Sequence, residues 1–281
     1  MNSRYQHVIQ APRIVLIFWG DFYQQNPQAV SDTKKLVTEI VTGRYMNGLA
    51  QYGVGRGSVL PMSFPLHHTP EDYGQFDSIT PDDVADNLMK WINNGTVWPA
   101  PEVNEKNLVY LILAPTETTL LDEDDNGIKA YHHSSQYHES SAQTDLFWAL
   151  IGTRRFIEDE PLTDGAALVQ AASVSISHEL AETFSDRDSA GFRPQTASQK
   201  GEISDLCKGD FYFYGSFQVQ KYWSIWSTGC IHGNDPVSLR QFLKSISFDT
   251  AHHGLRSLGM ATLNLESIAS QMRSLAPAGM V

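Results

Sequence analysis

Basic residues are scarce in this chain of 281 residues: 20 Lys and Arg stand against 32 Asp and Glu, a formal net charge of −12. Binding a phosphate backbone needs clustered Lys and Arg, so no nucleic-acid partner is expected, and the same acidity disfavours an anionic membrane surface. Long apolar runs are also missing. Stretches such as Ile14 to Trp19 fall far short of the roughly 20 residues that a membrane-spanning helix needs. That run also lacks the long apolar region and small-residue cleavage site of a secretory signal, and it reads as a buried strand. The expected compartment is therefore the cytoplasm, or the exterior reached by a non-classical route. Cysteine is limited to Cys207 and Cys230, which bracket an aromatic segment. They could form one disulfide in an oxidising compartment or remain thiols in a reducing one. No internal repeat and no low-complexity tract is present. What remains, 41% hydrophobic and 11% aromatic residues, is the composition of a globular protein long enough to bury a full core.

The periodicity predicts a mixed α/β architecture. Arg13 to Trp19 and Asn107 to Leu113 read as strands buried on both faces. Ser31-Asp32 is expected to cap a helix with Leu36, Val37, Ile40 and Val41 on its inner stripe, interrupted at Gly43 and continued over Tyr45 to Tyr52. Gly53 to Gly57 lacks the Lys-Ser/Thr ending of a phosphate-binding loop and reads as a turn. Val59 to Leu66 is expected to be extended. Thr80-Pro81-Asp82-Asp83 has the cap, first-turn proline and acids of a helix start, and Asn94-Gly95 its stop. Asp122 to Gly127 copies the first half of a calcium loop, but the twelfth position is His133 and not glutamate. Tyr131 to Ser135 reads as a polar loop leading to a strand over Asp145 to Ile151. Phe211 to Tyr214 and Val219 to Trp226 look like a hairpin, and helices are expected from Pro236 onward.

The chemistry concentrates in Ser173 to Asp186. Thr163-Asp164-Gly165 offers an N-cap, and Val169, Ala172, Ile176, Leu180 and Thr183 recur at helical spacing. On such a helix His178 and Glu182 stand one turn apart on one side, with Glu179 on the adjacent strip. A neutral imidazole and a carboxylate so placed can grip a divalent ion, and a neighbouring carboxylate can take a proton from water that the ion polarises. The familiar motif is His-Glu-x-x-His; here Glu182 replaces the second histidine. Downstream, Gly201 to Cys207 supplies Glu202 and Asp205, with Glu202 a candidate third ligand. His132 or His133 could also reach the metal or a substrate carbonyl, although an exposed polar loop is the plainer reading of the pair.

The order of these parts resembles a known group. A Leu-Ile-Phe-Trp-Gly-Asp-Phe strand, Tyr45-Met-Asn-Gly-Leu-Ala-Gln-Tyr52, a Tyr-His-His-Ser segment, Ser-His-Glu-Leu-Ala-Glu, Gly-Glu-Ile-Ser-Asp-Leu-Cys and Tyr-Trp-Ser follow one another. This is similar to bacterial and fungal zincin-like proteins distantly related to the plant EXORDIUM (phosphate-induced) family, over roughly residues 12 to 232. The resemblance implies a metallopeptidase-type α/β fold, with the metal helix under a mixed sheet in residues 1–234 and a helical segment over 235–281 packed on it. It makes His178 and Glu182 ligands and Glu179 the general base, with Glu202 or Asp205 completing the set. In related enzymes a third glutamate lies roughly twenty residues after the second ligand, near the separation of Glu202 from Glu182.

Two carboxylates and one imidazole give a nearly neutral shell around Zn²⁺, which polarises water less than a two-histidine set does. Recruiting His132 or His133 would restore the two-histidine geometry, which also suits Fe(II). Carboxylates at Glu182, Asp186, Glu202 and Asp205 could instead favour calcium. The leading expectation is a zinc-dependent hydrolase of peptide or amide bonds, acting on a peptide or small-molecule substrate. A non-catalytic zincin-like binding or structural protein and a metal-dependent enzyme that tailors a small molecule are the alternatives.

Overall fold

A computed structural model of the chain describes residues 3–66, 78–102, 104–116, 118–122, 127–139, 142–153, 165–194, 201–233 and 235. The chain divides into two units, Met1–Leu243 and Lys244–Val281, of which the second lies outside the described residues. So do the helices expected from Pro236 onward, the Thr163-Asp164 cap, and Glu123 to Asn126 of the half calcium loop. No helix among the described residues is long and apolar enough to cross a membrane.

In chain order the first unit runs β1 (Arg13–Trp19), α1 (Asp21–Gln25), α2 (Pro27–Thr42), a 3-10 segment (Arg44–Tyr52), β2 (Ser58–Leu66), β3 (Ser78–Ile79) and α3 (Pro81–Asn93). It continues with β4 (Leu108–Leu113), β5 (Thr119–Leu121), β6 (Gly127–Ile128), β7 (Ala130–Glu139), β8 (Ala142–Ile151) and α4 (Gly165–Ser185). A short 3-10 turn (Asp205–Cys207), β9 (Phe211–Tyr214), β10 (Phe217–Gln220), β11 (Tyr222–Ser224) and β12 (Gly229–Ile231) follow.

The main sheet has the order β2-β1-β4-β8-β7, parallel throughout except for β7, which runs antiparallel to β8 at the edge. The architecture is thus α/β with a mixed sheet. Strand alternation divides the core in two. Ile14, Leu16 and Phe18 of β1, Val109, Leu111 and Leu113 of β4, and Phe147, Ala149 and Ile151 of β8 face α2 and α4. Val15, Ile17, Trp19, Tyr110, Ile112, Trp148 and Leu150 face α3. Strands covered on both sides need the continuous apolar runs that mark β1 and β4 in the sequence.

The α3 start is as expected: Thr80 accepts from the Asp83 N–H, and Asp83 accepts from the Thr80 N–H at 2.9 Å. α2 begins earlier than Ser31-Asp32 suggests, because Pro27 fits the first helical turn behind Asn26. The larger correction is Tyr131 to Ser135. This polar segment lies inside the ten-residue strand β7, where backbone pairing with β8 outweighs its loop-like composition. The aromatic stretch forms two ribbons, β9 with β10 and β11 with β12, since the chain leaves the first pairing at Lys221.

Candidate metal centre

α4 is buried all round from Glu179 to Ser185, whereas Gln170 and Ala171 nearer its start are exposed. Leu168, Ala172, Ile176, Leu180 and Phe184 enter the core, yet Glu179 and Glu182 on another strip are only 5% and 2% exposed. Carboxylates that deep require partners. His178 Nε2 lies 3.0 Å from Glu182 Oε2, one turn away, so the expected pair forms. The other oxygen, Glu182 Oε1, accepts the backbone N–H groups of Ser204 (3.1 Å) and Asp205 (3.0 Å), which aims Oε2 at the imidazole.

The second nitrogen of His178 is fixed as well. Its Nδ1 lies 3.2 Å from Gln220 Oε1, and the Gln220 amide donates to the Ser204 carbonyl at 2.6 Å. That second bond orients the amide with its oxygen toward the ring, so Nδ1 carries a hydrogen, and Nε2, which shares a proton with Glu182 in the metal-free protein, is the nitrogen left to meet an ion. The Tyr45 hydroxyl donates to the Ser177 carbonyl at 2.8 Å, with the Gln220 carbonyl 3.2 Å away, and so ties α4 to β10 beside the histidine. Gly48 lets this segment approach: a Cβ there would lie 2.5 Å from the Tyr222 hydroxyl oxygen.

The edge strand adds a second histidine. His132 pairs with Ala149 on β8, whereas His133 pairs with Trp148. Opposed residues share a sheet face, so His132 points toward α4 and His133 points away. His132 Nδ1 lies 3.1 Å from Glu179 Oε2 and 3.9 Å from Glu182 Oε2, and its Nε2 lies 3.5 Å from Glu202 Oε1. The His133 ring instead rests against Trp148, 5.8 Å between centroids, on the α3 side of the sheet. The structure therefore puts His132 at the site in place of His133.

The two candidate third ligands part company. Glu202 joins His132 and Glu182, and Arg193 Nη2 donates to its Oε1 at 2.7 Å. Asp205 lies toward His178, 3.7 Å from Nε2, with its side chain 49% exposed. Asp186 is engaged elsewhere: Gly191 N–H donates to one oxygen (2.5 Å) and Arg193 Nε to the other (2.6 Å), which removes it from the carboxylates of the calcium alternative. Two sets each have ligand atoms within 4.8 Å of one another and could hold a metal ion: His178, Glu179 and Glu182, and His132, Glu182 and Glu202. With its side chain 16% exposed, His178 keeps the site open to solvent.

These groups perturb one another's protonation. Burial pulls the His178 pKa down, but the hydrogen bond and charge of Glu182 outweigh it and raise the pKa to about 9. His132 is likewise held well above its ordinary value, burial being outweighed by Glu179 and Glu202. Burial raises Glu182 to about 7 in spite of His178. Glu202 falls to about 2, because His132 and Arg193 together overcome its own burial.

Behind the site, Cys207 and Cys230 form a disulfide, which ties the turn carrying Asp205 to β12. Gln220 and Arg193 went unread in the sequence. Neither carries a local signature, for a lone Gln in an alternating strand and a lone Arg in a loop are ordinary surface residues. No protein-family model, no curated protein and no solved structure matches the chain.

Proposed function

We propose that this protein is a metal-dependent hydrolase of amide bonds, with a zincin-like arrangement of one helix under a mixed sheet. The observation that carries the reading is His178: its Nδ1 is locked by Gln220, and its Nε2 is turned toward an inward-aimed carboxylate oxygen at 3.0 Å. His178 and Glu182 would hold the ion, and Asp205 would close the set from the rim. Imidazole and carboxylate donors of this kind suit zinc. A zinc ion bound there would supply Lewis-acid polarisation of a carbonyl and acidify water.

The remaining steps belong to the chain. Glu179 Oε1 lies 4.0 Å from His178 Nε2, and its Oε2 is anchored by His132 Nδ1 at 3.1 Å. A carboxylate fixed by one oxygen and free at the other can take the proton of the attacking water and hand it to the leaving amine. β7 is the edge of its sheet among the described residues, and it carries His132. A sheet edge beside the site suits an extended peptide.

The test uses quenched fluorogenic peptides. Wild-type protein should cleave them, a chelator should stop cleavage, and Glu179→Gln should abolish turnover while metal analysis still finds the ion. Loss of the ion in that variant would make Glu179 a ligand and overturn its role as base. A metal-loaded wild-type protein that cleaves no amide would overturn the hydrolase.

A further inference from the structure

We propose that the cluster holds two divalent cations, the second on His132 Nε2 and Glu202 with Glu182 shared between the sites; this rests on the His178 set being a metal site.

Two observations support it. First, the two imidazoles fall in different convergent sets, and Glu182 belongs to both. Carboxylate-linked pairs of ions are a recurrent catalytic arrangement. Second, the two histidines are built alike. His178 has Nδ1 on the Gln220 oxygen and Nε2 toward Glu182. His132 has Nδ1 on the Glu179 carboxylate, an acceptor only, and Nε2 toward Glu202 at 3.5 Å. A hydrogen-bonded Nδ1 that turns Nε2 toward carboxylates is how metal-ligating histidines are prepared.

Arg193 sits at the outer side of the cluster, bonded to Asp186 and Glu202, and holds the Glu202 carboxylate in position.

Chelator-stripped full-length protein is loaded with Zn²⁺ or Mn²⁺, desalted, and its metal counted by mass spectrometry. Wild-type protein should retain two equivalents, and His132→Ala and Glu202→Gln one each. The Mn²⁺ form should show the weakened, exchange-coupled electron paramagnetic resonance of a linked pair, reverting in both variants to the six-line signal of an isolated ion. Glu202→Gln preserves side-chain volume and carries the test if His132→Ala fails to fold by circular dichroism. One equivalent in the wild type, unchanged in the variants, overturns the second site and leaves the single-ion hydrolase standing. One equivalent that either variant abolishes also overturns it, since the cluster is then one site. No retained metal overturns both.

Discussion

Gln220→Leu removes the contact that prepares His178 without replacing any proposed ligand. Gln220 is buried, accepts from His178 Nδ1 at 3.2 Å and donates to the Ser204 carbonyl at 2.6 Å. Leucine fills a similar volume but leaves Nδ1 free to lose its hydrogen, so the tautomer with Nε2 protonated becomes populated. Loss of such an outer partner typically weakens metal binding 10–100-fold, about 1.4–2.7 kcal/mol. Separately, the Ser204 carbonyl loses its donor, a stability cost of about 1–3 kcal/mol. Gln220→Glu separates the two effects: it keeps an acceptor for Nδ1 and loses the donor to Ser204. Calorimetric titration of stripped protein with Zn²⁺ should find the leucine variant at least tenfold weaker and the glutamate variant as tight as wild type or tighter. Both variants should unfold at lower denaturant than the wild type. Equal affinity for leucine and wild type, or an equal loss in both variants, would refute the role assigned to Gln220.

Further outcomes follow from the same geometry. The metal-free protein keeps protons in the His178–Glu182 pair, with His178 raised to about 9 and Glu182 to about 7. Stability from a raised folded-state pKa is present below the unfolded value and is lost as pH rises through the folded one, so the stripped protein should melt at lower temperature at pH 9 than at pH 6. Metal binding displaces these protons, so its affinity should climb over the same interval, as titrations in buffers of different ionisation enthalpy will show. His133→Ala should leave metal content and turnover unchanged, because the ring lies on the other side of β7. Reducing the Cys207–Cys230 bridge, which spans 23 residues, should remove about 3 kcal/mol of stability in denaturant titrations, with and without reductant. Gly48→Ala, whose Cβ would press on Tyr222, should cost about 1–3 kcal/mol by the same assay.

The parts legible in the sequence were those encoded by neighbours along the chain. β1 and β4 announce themselves because both their faces are buried, and α3 because Thr80 and Asp83 cap it reciprocally. His178 and Glu182 meet because helical spacing alone brings them together. The rest depends on tertiary register. Strand periodicity says that His132 and His133 face opposite ways once Tyr131 to Ser135 is known to be a strand. Only the pairing of His132 with Ala149 says which of them meets α4. Glu202 and Asp205, three residues apart, look equivalent as ligands, but Arg193 and His132 draw Glu202 to one side and leave Asp205 at the rim. Asp186 reads as an available carboxylate until Gly191 and Arg193 occupy it.

Anomalous diffraction from crystals of protein purified without added ions, recorded at the zinc edge, goes to the heart of this account. A peak roughly 2.0–2.2 Å from both His178 Nε2 and Glu182 Oε2 is the predicted result. Crystals soaked in Zn²⁺ that show no peak there, with the two side chains still bonded directly to each other, would contradict it.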